Sequence, residues 1–482
     1  MLFNSLDFAI FLPVVFVLYW FLVNRRIKLQ NLLIVLASYT FYGWWDWRFL
    51  ILIFFSTLVD YSIGRMLAGQ EDQKRRKLYL YLSVIINLSL LGFFKYYNFF
   101  LDSFVQAFSF FGEEIKLNYL QIILPIGISF YTFQTLSYTI DVYKREMEPS
   151  KDFIAFAAFV SFFPQLVAGP IERASSLLPQ FLKQRTFDYI KAVDGLRQIL
   201  WGLFKKIVIA DNAAKVVNEI FANSDSYNGS TLVLGAVFFA FQVYGDFSGY
   251  SDIAIGTARL FGFNLMQNFA FPYFSRDIAE HWRRWHISLN TWFRDYLYIP
   301  LGGSRGGALM KLRNTALVFI VSGFWHGANW TYIVWAFLNI LYFLPFILRK
   351  KKRTRSEIVA FGKVIPSLRE VLQILGTFSL NVFAYIFFRS ETVGQAFSSV
   401  RTIFSESLFS LPQFEGMLHA FITFILILIF MSIEWFGRND QFAIAKLGFT
   451  WKRHWRQLFY YSIMLAIFLF MGKQEQFVYF QF

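Results

Sequence analysis

The chain has 482 residues, of which 56% are hydrophobic, 21% aromatic and only 16% charged, and its formal net charge is +15 at pH 7. A soluble domain cannot cover so much apolar surface, so this composition excludes an ordinary soluble protein and favours a bundle of helices in lipid. The chain has no cysteine, which excludes disulfides, a thiol nucleophile and thiolate metal sites.

Apolar runs that span or nearly span a bilayer follow one another along the chain. A straight crossing needs roughly 20 residues. Several runs are shorter, so we expect tilted, broken or re-entrant segments around an internal cavity. We therefore predict an all-α, polytopic transmembrane bundle of about 10–12 spans, folded as one multi-pass domain over 1–482. The runs are 8–23, 30–45, 48–64, 78–100, 119–143, 153–169, 230–246, 314–348, 368–388, 417–436 and 458–472.

The basic residues stand in short clusters between these runs. This is typical of the positive-inside signal of membrane proteins, so we predict that these clusters are cytoplasmic and that no nucleic acid is bound. The N-terminus and the loop at Glu113 and Glu114 should face outward. The clusters are 25–28, 74–77, 144–145, 349–355 and 452–456.

A polar cluster, Tyr244-Gly-Asp-Phe-Ser-Gly-Tyr-Ser-Asp, follows the apolar run 230–246. Ionisable residues at membrane depth are costly and often functional. Ser248 lies in no Gly-x-Ser-x-Gly elbow, which argues against a serine nucleophile. For Asp246 and Asp252 we favour a structural role, such as pairing with arginines of segment 276–299.

Segment 276–299 is compatible with one amphipathic helix. Its aromatic residues then form a stripe at steps of three and four, with arginines on the opposite side, as in a helix at the membrane interface. Such a helix can be a topology anchor, or it can be a landing surface for an anionic donor such as a coenzyme A thioester or an acidic carrier protein. Arginine suits phosphates, so the candidate donor-binding residues are Arg283, Arg284 and Arg294.

The two histidines of this segment do not form a metal site in that helix. His281 and His286 are five positions apart, about 140° around a helix, and so do not share a face. We predict no metal and no bound cofactor.

Segment 314–348 has basic residues at both ends, so the chain should enter the membrane and return. Its 35 residues are too few for two full spans, which predicts a hairpin with its apex at 322–330. The first leg is about 18 Å long as a helix, which puts His326 beyond the midplane of a core roughly 30 Å thick. A neutral buried histidine can act as a general base or can serve only in packing. Asn329 can orient an acceptor or cap a helix.

Several motifs together carry a family resemblance. They are Pro125-Ile-Gly-Ile-Ser-Phe-Tyr-Thr-Phe-Gln, Phe163-Pro-Gln-Leu-Val-Ala-Gly-Pro-Ile-Glu-Arg, Tyr244-Gly-Asp-Phe-Ser-Gly-Tyr-Ser-Asp, His281-Trp-Arg-Arg-Trp-His-Ile-Ser-Leu, Phe293-Arg-Asp-Tyr-Leu-Tyr-Ile-Pro-Leu-Gly-Gly, Phe324-Trp-His-Gly-Ala-Asn-Trp and the tail Tyr479-Phe-Gln-Phe. At these residues the chain resembles the membrane-bound O-acyltransferase (MBOAT) family, and it looks closest to the bacterial branch that includes the membrane component of alginate O-acetylation.

The resemblance implies an intramembrane tunnel in a core at about 120–348, with an invariant family histidine that His326 matches. His286 is the second histidine of the motif, which makes it the other candidate catalytic residue. The candidate tunnel residues are Trp325, Asn329, Trp330 and Asp246.

The resemblance also implies an enzyme of the cytoplasmic (inner) membrane. Its donor is a cytoplasmic acetyl-coenzyme A or acyl-carrier thioester. The acceptor is a hydroxyl outside, on a polysaccharide or on an exported SGNH-type acetyltransferase partner. In the mechanism that we expect, the donor docks on the basic face of 276–313 and His326 takes the proton of the acceptor hydroxyl, which attacks the thioester.

Two alternatives stay open at this point. Within the family, the reaction can be D-alanyl transfer to teichoic acid from a carrier protein. Outside it, the chain can be a saccharide transporter or flippase that performs no chemistry. A transporter often shows paired broken helices in two related halves, and the sequence shows no such internal symmetry.

Overall fold

The computed structural model describes residues 1–109, 120–348, 358–472 and 477–478. These residues are helical and contain no β-strand, which confirms the predicted fold class. The chain divides into two compact units: unit 1 comprises Met1–Ala192 with Ala258–Leu265, and unit 2 comprises Val193–Thr257 with Met266–Phe482. Three sequence features lie outside the described residues: the basic cluster 349–355, the acidic loop at 113–114 and the tail motif 479–482.

Nine α-helices lie in the described part of unit 1 up to residue 181. They are α1 Leu6–Val17, α2 Ile27–Asp46, α3 Leu50–Ala68, α4 Gln73–Leu91, α5 Tyr97–Ser109, α6 Ile128–Tyr143, α7 Phe153–Ser161, α8 Phe163–Leu166 and α9 Ala174–Phe181. The helices that follow are α10 Tyr189–Leu203, α11 Asp211–Ala222, α12 Gly229–Leu260, α13 Ile278–Arg284, α14 Ile287–Phe293, α15 Gly307–His326, α16 Trp330–Leu348, α17 Leu368–Arg389, α18 Val393–Ile403, α19 Met417–Gly437 and α20 Arg453–Phe470.

Six helical stretches in the described ranges are long and apolar enough to cross a membrane. They are Ile27–Ala68, Gln73–Val105, Gly229–Leu260, Trp330–Leu348, Leu368–Arg389 and Met417–Gly437. The multi-pass prediction is thus confirmed. The expectation of about 10–12 spans had counted runs that fold into short helices, such as α7 with its 9 residues.

A buried carboxylate connects three helices of unit 1. Asp60 on α3 is fully buried and accepts hydrogen bonds from Ser83 and Asn87 on α4 and from Thr139 on α6. A carboxylate at membrane depth is tolerated only with such partners. These bonds fix α3, α4 and α6 against one another.

A second buried cluster lies in unit 2, where a π-helical turn, Phe204–Ala210, follows α10. Lys206 lies 2.8 Å from Asp246 and 2.7 Å from Asp211, and Lys205 contacts Asp252. The predicted pairing of Asp246 and Asp252 with arginines of segment 276–299 is therefore wrong. The aspartates of α12 pair instead with lysines about 40 positions earlier, because the backbones of the two segments lie very close together. At their contact, a Cβ on Gly202 would lie 2.6 Å from the carbonyl oxygen of Gly249.

The predicted hairpin at 314–348 is present, but its legs are longer than expected. Helix α15 begins at Gly307, directly after the glycine-rich turn, so it has 20 residues and α16 has 19. Either is about 30 Å long, enough to cross a hydrocarbon core. The sequence argument started the first leg at residue 314 because it took Lys311 and Arg313 as preceding the helix, whereas both lie within it.

The two legs meet at Gly323, one turn before His326. A Cβ added there would lie 2.7 Å from the carbonyl oxygen of Tyr332 and 3.1 Å from the Cβ of Ala336. Small residues allow such close approach between helices in a membrane. Gly323 thus sets the distance between α15 and α16.

We expect Gly323→Ala to lower the stability of the protein by about 1–3 kcal/mol, because the new methyl group must push α16 away. Thermal unfolding in detergent micelles measures the effect. The matched control is Gly376→Ala on α17, where an added Cβ meets no atom within 4 Å, and where alanine should be neutral or stabilising because of its better helix propensity. Equal melting temperatures for the two variants would contradict this account of the hairpin.

Candidate active site

The segment that was predicted to be one interfacial helix is broken in the middle. Helix α13 ends at Arg284 and α14 begins at Ile287. Between them, His286 has φ 44° and ψ 53°, the left-handed conformation. A single amphipathic helix over 276–299 is therefore wrong.

The break is stable because other groups bind the backbone atoms that it leaves open. The preceding loop runs beside the break: Ala270 N–H donates to the Arg284 carbonyl, and Ile287 N–H donates to the Asn268 carbonyl, both at 2.9 Å. The side-chain amide of Asn290 donates to the carbonyls of Trp282 and Trp285. Buried backbone groups need such partners, and loop residues 268–270 supply them from a part of the sequence with no helical pattern.

The aromatic side chains of this segment pack inside unit 2. Trp285, Leu289 and Trp292 are buried, and Trp285 stacks near Tyr273 and His281. The interfacial position predicted for this stripe is therefore wrong. The bend turns the aromatic residues towards the interior, so the segment builds a wall of the site.

The structure brings the two candidate catalytic histidines to one tryptophan. The ring centroid of Trp325 lies 5.6 Å from that of His286 and 4.9 Å from that of His326. All three side chains are buried, His286 with 1% of its surface exposed and His326 with 4%. These histidines are 40 positions apart in the sequence, and only the fold brings both of them against the same tryptophan.

His326 is the last residue of α15 and lies among aromatic rings. Its ring centroid is 5.1 Å from that of Trp335 and 5.2 Å from that of Phe388, both in edge-on contact. The backbone N–H of the next residue, Gly327, bonds back to Gly323 and closes the helix. The histidine is therefore held at a helix end, in apolar surroundings.

A cavity of about 1240 Å³ lies beside α15 in unit 2. One face of α15 lines it through Lys311, Thr315, Phe319 and Ser322, which recur at steps of three and four as one face of a helix requires. His326 follows Ser322 by four positions and so continues the same face. The cavity wall also includes Trp282, which contacts Trp335, and Trp335 contacts His326. The cavity thus approaches His326 to within one layer of rings.

Basic residues line the cavity, but they are not the same three residues that the sequence predicted. Arg283, Arg294 and Lys311 line it, with Arg294 also paired to Asp295 at 2.6 Å. Arg284 does not line it and instead pairs with Glu280 at 3.1 Å. Glu280 is buried and also binds Arg276. Although burial opposes it, these arginines hold the pKa of the Glu280 carboxyl below its usual range.

The other candidate tunnel residues lie in varied surroundings. Asn329 caps α16: its side-chain oxygen accepts from Thr331 N–H, and its amide donates to the Glu391 carbonyl. Trp330 is half-exposed and Asp246 is buried in the lysine cluster. Neither residue is among those that line the cavity.

Two residues of the site were missed by the sequence argument. Lys311 was treated as part of a topology signal, although its spacing to Thr315 and Phe319 extends the helical face that ends at His326. Asn268, which is buried and contacts His286, lies in a loop segment without periodicity, and nothing in its local sequence marks it.

The electrostatic surroundings keep His286 neutral. Burial lowers the pKa of its imidazole to about 3, so the ring carries no charge near pH 7 and one of its nitrogens keeps a lone pair. Among the described residues, no group of three or more His, Asp or Glu side chains is arranged to hold a metal ion.

Comparison with known proteins gives consistent matches. The sequence model of the membrane-bound O-acyltransferase family matches residues 148–378, a range that starts and ends later than the core expected at about 120–348. The chain is 39% identical over 440 residues to a protein named probable alginate O-acetylase from Pseudomonas aeruginosa, with 91% of this chain and 81% of that protein covered.

Two further relatives have other named activities. The chain is 33% identical over 528 residues to a peptidoglycan O-acetyltransferase of Helicobacter pylori, with 100% of this chain and 98% of that protein covered. It is 28% identical over 297 residues to a teichoic acid D-alanyltransferase of Streptococcus thermophilus, with 58% and 69% covered. The resemblance inferred from the motifs is confirmed.

Proposed function

The chain belongs to the membrane-bound O-acyltransferase family, and from that premise we propose that it transfers an acetyl group from a cytoplasmic thioester to a hydroxyl of an extracytoplasmic polysaccharide. The enzyme then works in the cytoplasmic membrane. The hydroxyl belongs to the polymer itself or to an exported SGNH-type acetyltransferase that passes the group on.

The observation that carries this proposal is the cavity beside α15. Arg283, Arg294 and Lys311 lie along it, and Trp282 and Ser322 line the part nearest His326. Arginine and lysine bind phosphates, which both coenzyme A and a phosphopantetheine carrier possess. An acyl thioester is neutral and suits the apolar part of the wall. The cavity therefore fits a donor with an anionic end and an uncharged reactive end.

In the mechanism, His326 acts as the general base. Its neutral imidazole takes the proton of the acceptor hydroxyl, whose oxygen attacks the thioester carbonyl carbon. The carbon–sulfur bond of the tetrahedral intermediate breaks, and the thiolate receives the proton back from the imidazolium. The products are an ester and a free thiol, so atoms and charge balance. Burial among Trp325, Trp335 and Phe388 limits competing attack by water.

The relatives favour acetyl over D-alanyl as the transferred group. Identity to the alginate O-acetylase from Pseudomonas aeruginosa is 39% across 91% of this chain, against 28% across 58% for the D-alanyltransferase. D-alanyl transfer is therefore the second candidate. Family membership and the two histidines that contact Trp325 favour an enzyme over a saccharide transporter.

Removing the cavity cations tests the donor site. We expect Arg283→Ala and Lys311→Ala each to raise KM for acetyl-coenzyme A about tenfold, the factor that about 1.4 kcal/mol of binding gives, with little change in kcat, because the phosphates lie far from the reacting carbonyl. The measurement is initial-rate kinetics with radiolabelled acetyl-coenzyme A in membranes.

The matched control is Arg305→Ala, which removes an exposed arginine of the neighbouring glycine-rich turn that does not line the cavity. If the control raises KM as much as the other two variants, the effect comes from the general positive charge of this face and the donor site is wrong. If none of the three changes KM, the donor does not bind in the cavity.

A further inference from the structure

Asn268 joins the loop after α12 to the break between α13 and α14. Its backbone carbonyl accepts from Ile287 N–H at 2.9 Å. Its side-chain oxygen lies 2.9 Å from the Ser288 hydroxyl and 3.2 Å from Nδ1 of His286. The side-chain nitrogen donates to the Ser251 hydroxyl at 3.1 Å. Asn268 is fully buried, so these contacts are shielded from water.

The orientation of this amide follows from a backbone donor. Ser288 N–H points at the Asn268 side chain at 3.3 Å, and an N–H group can only donate. The atom that it meets is therefore the amide oxygen Oδ1. A flipped amide would turn its own N–H group against the Ser288 N–H, which a buried site does not tolerate.

The amide oxygen in turn selects the tautomer of His286. An acceptor oxygen 3.2 Å from Nδ1 requires a hydrogen on Nδ1, since two lone pairs facing each other repel. The Ser288 hydroxyl also lies near Nδ1, at 3.4 Å, but its own hydrogen goes to the closer Oδ1. A neutral imidazole with its hydrogen on Nδ1 carries its lone pair on Nε2.

The backbone of His286 is consistent with a constrained functional position. A left-handed conformation at a residue other than glycine costs on the order of 1–3 kcal/mol and persists only where the surroundings enforce it. The hydrogen bond from Ile287 to Asn268 is one enforcing contact. Asn268 thus contacts both the bend and the ring.

We propose that Asn268 is a positioning residue for acyl transfer, which fixes His286 with its proton on Nδ1 and its lone pair on Nε2. This inference rests on the proposed function, with His286 as the second candidate catalytic residue, beside Trp325. Held in this state, His286 can accept a proton or a hydrogen bond through Nε2. Asn268 restricts rotation of the ring on one side. Phe247 restricts it on another, with its ring centroid 4.6 Å from that of His286.

The test is nitrogen NMR of the detergent-solubilised full chain with ¹⁵N-labelled histidine, since protonated and bare ring nitrogens have well separated shifts. The chain has five histidines, and the signal that disappears in His286→Gln identifies His286. In the native protein we expect the Nδ1–H tautomer. In Asn268→Ala we expect its signal to move towards the Nε2–H form, and transfer activity to fall at least tenfold, though by less than the factor of about 10² to 10⁴ that a general base itself contributes.

Asn268→Asp separates positioning from folding. The carboxylate keeps the acceptor for Nδ1–H but favours the charged imidazole, so the tautomer contact should survive while the pH at which His286 titrates rises. An Nε2–H form in the native protein would overturn the inference, as would an unchanged histidine signal in Asn268→Ala. If the variant Asn268→Ala does not fold, an unchanged titration in Asn268→Asp also overturns it. Because the NMR readout does not require turnover, loss of all native acyl transfer would refute the proposed function without deciding the tautomer.

Discussion

Replacing His326 with alanine is expected to lower acyl transfer by about 10² to 10⁴-fold, the contribution of a positioned general base, while the protein remains folded. The reason is its place: His326 ends the helix face that lines the cavity, and aromatic rings surround it. His326→Gln should lose activity to a similar extent, because glutamine retains polarity and approximate size but is not a base. The measurement is acetyl transfer at matched protein levels, with melting temperature recorded for each variant.

The control for this prediction is His281→Gln. His281 is as buried as His286, and its ring contacts the Pro272 carbonyl, yet it has no place in the proposed chemistry. We expect this variant to keep most of its activity. If His281→Gln and His326→Gln lose activity equally, the losses reflect packing alone, and His326 is not the base.

Replacing Lys206 with methionine is expected to have the largest effect on stability, about 3–5 kcal/mol, because it removes the cation that lies between two buried carboxylates. Lys206 lies between Asp246 and Asp211 at 2.8 and 2.7 Å, and its side chain is almost completely buried. We expect little folded protein in detergent, measured as the monodisperse fraction in size-exclusion chromatography and as the melting temperature.

Two further variants define the cause of that loss. Lys446→Met removes an exposed lysine that pairs with Asp440 and should change stability by less than about 1 kcal/mol. Adding Asp246→Asn to Lys206→Met removes one of the two carboxylates that Lys206 contacts and should recover part of the stability. A double variant less stable than Lys206→Met would show that the charge balance is not what this cluster provides.

The general architecture could be predicted from the sequence because composition and motif order carry it. Long apolar runs specify helices in lipid, and the hairpin of α15 and α16 follows from two apolar runs around Gly323 and Gly327. The position of His326 at its apex was also predicted correctly. These features depend on local sequence, which is what pattern analysis can evaluate.

The features that were predicted incorrectly depend on contacts between distant residues. The break at His286 is fixed by hydrogen bonds to the backbone of the loop residues Asn268 and Ala270. Backbone groups are the same in every residue, so the sequence of segment 276–299 does not reveal these bonds. In the same way Asp246 and Asp252 pair with Lys206 and Lys205, since Gly202 and Gly249 bring the two helical segments together.

The candidate donor-binding residues differ from one another within one short segment, and here the cause is local. Arg283 and Arg284 are neighbours and look equivalent in the sequence. In the structure Arg283 lines the cavity, whereas Arg284 is neutralised by Glu280 four positions earlier. A count of basic residues therefore overestimates the charge that an anionic donor would meet.

The most direct test of acyl transfer across the membrane uses sealed inside-out vesicles with the acceptor polymer and any exported partner enclosed. Radiolabelled acetyl-coenzyme A is added to the outer solution, which contacts the cytoplasmic face. We predict label in the enclosed acceptor with the native chain and none above background with His326→Ala. Label that reaches the acceptor equally with His326→Ala, or only when the acceptor is placed on the same side as the donor, would contradict the account.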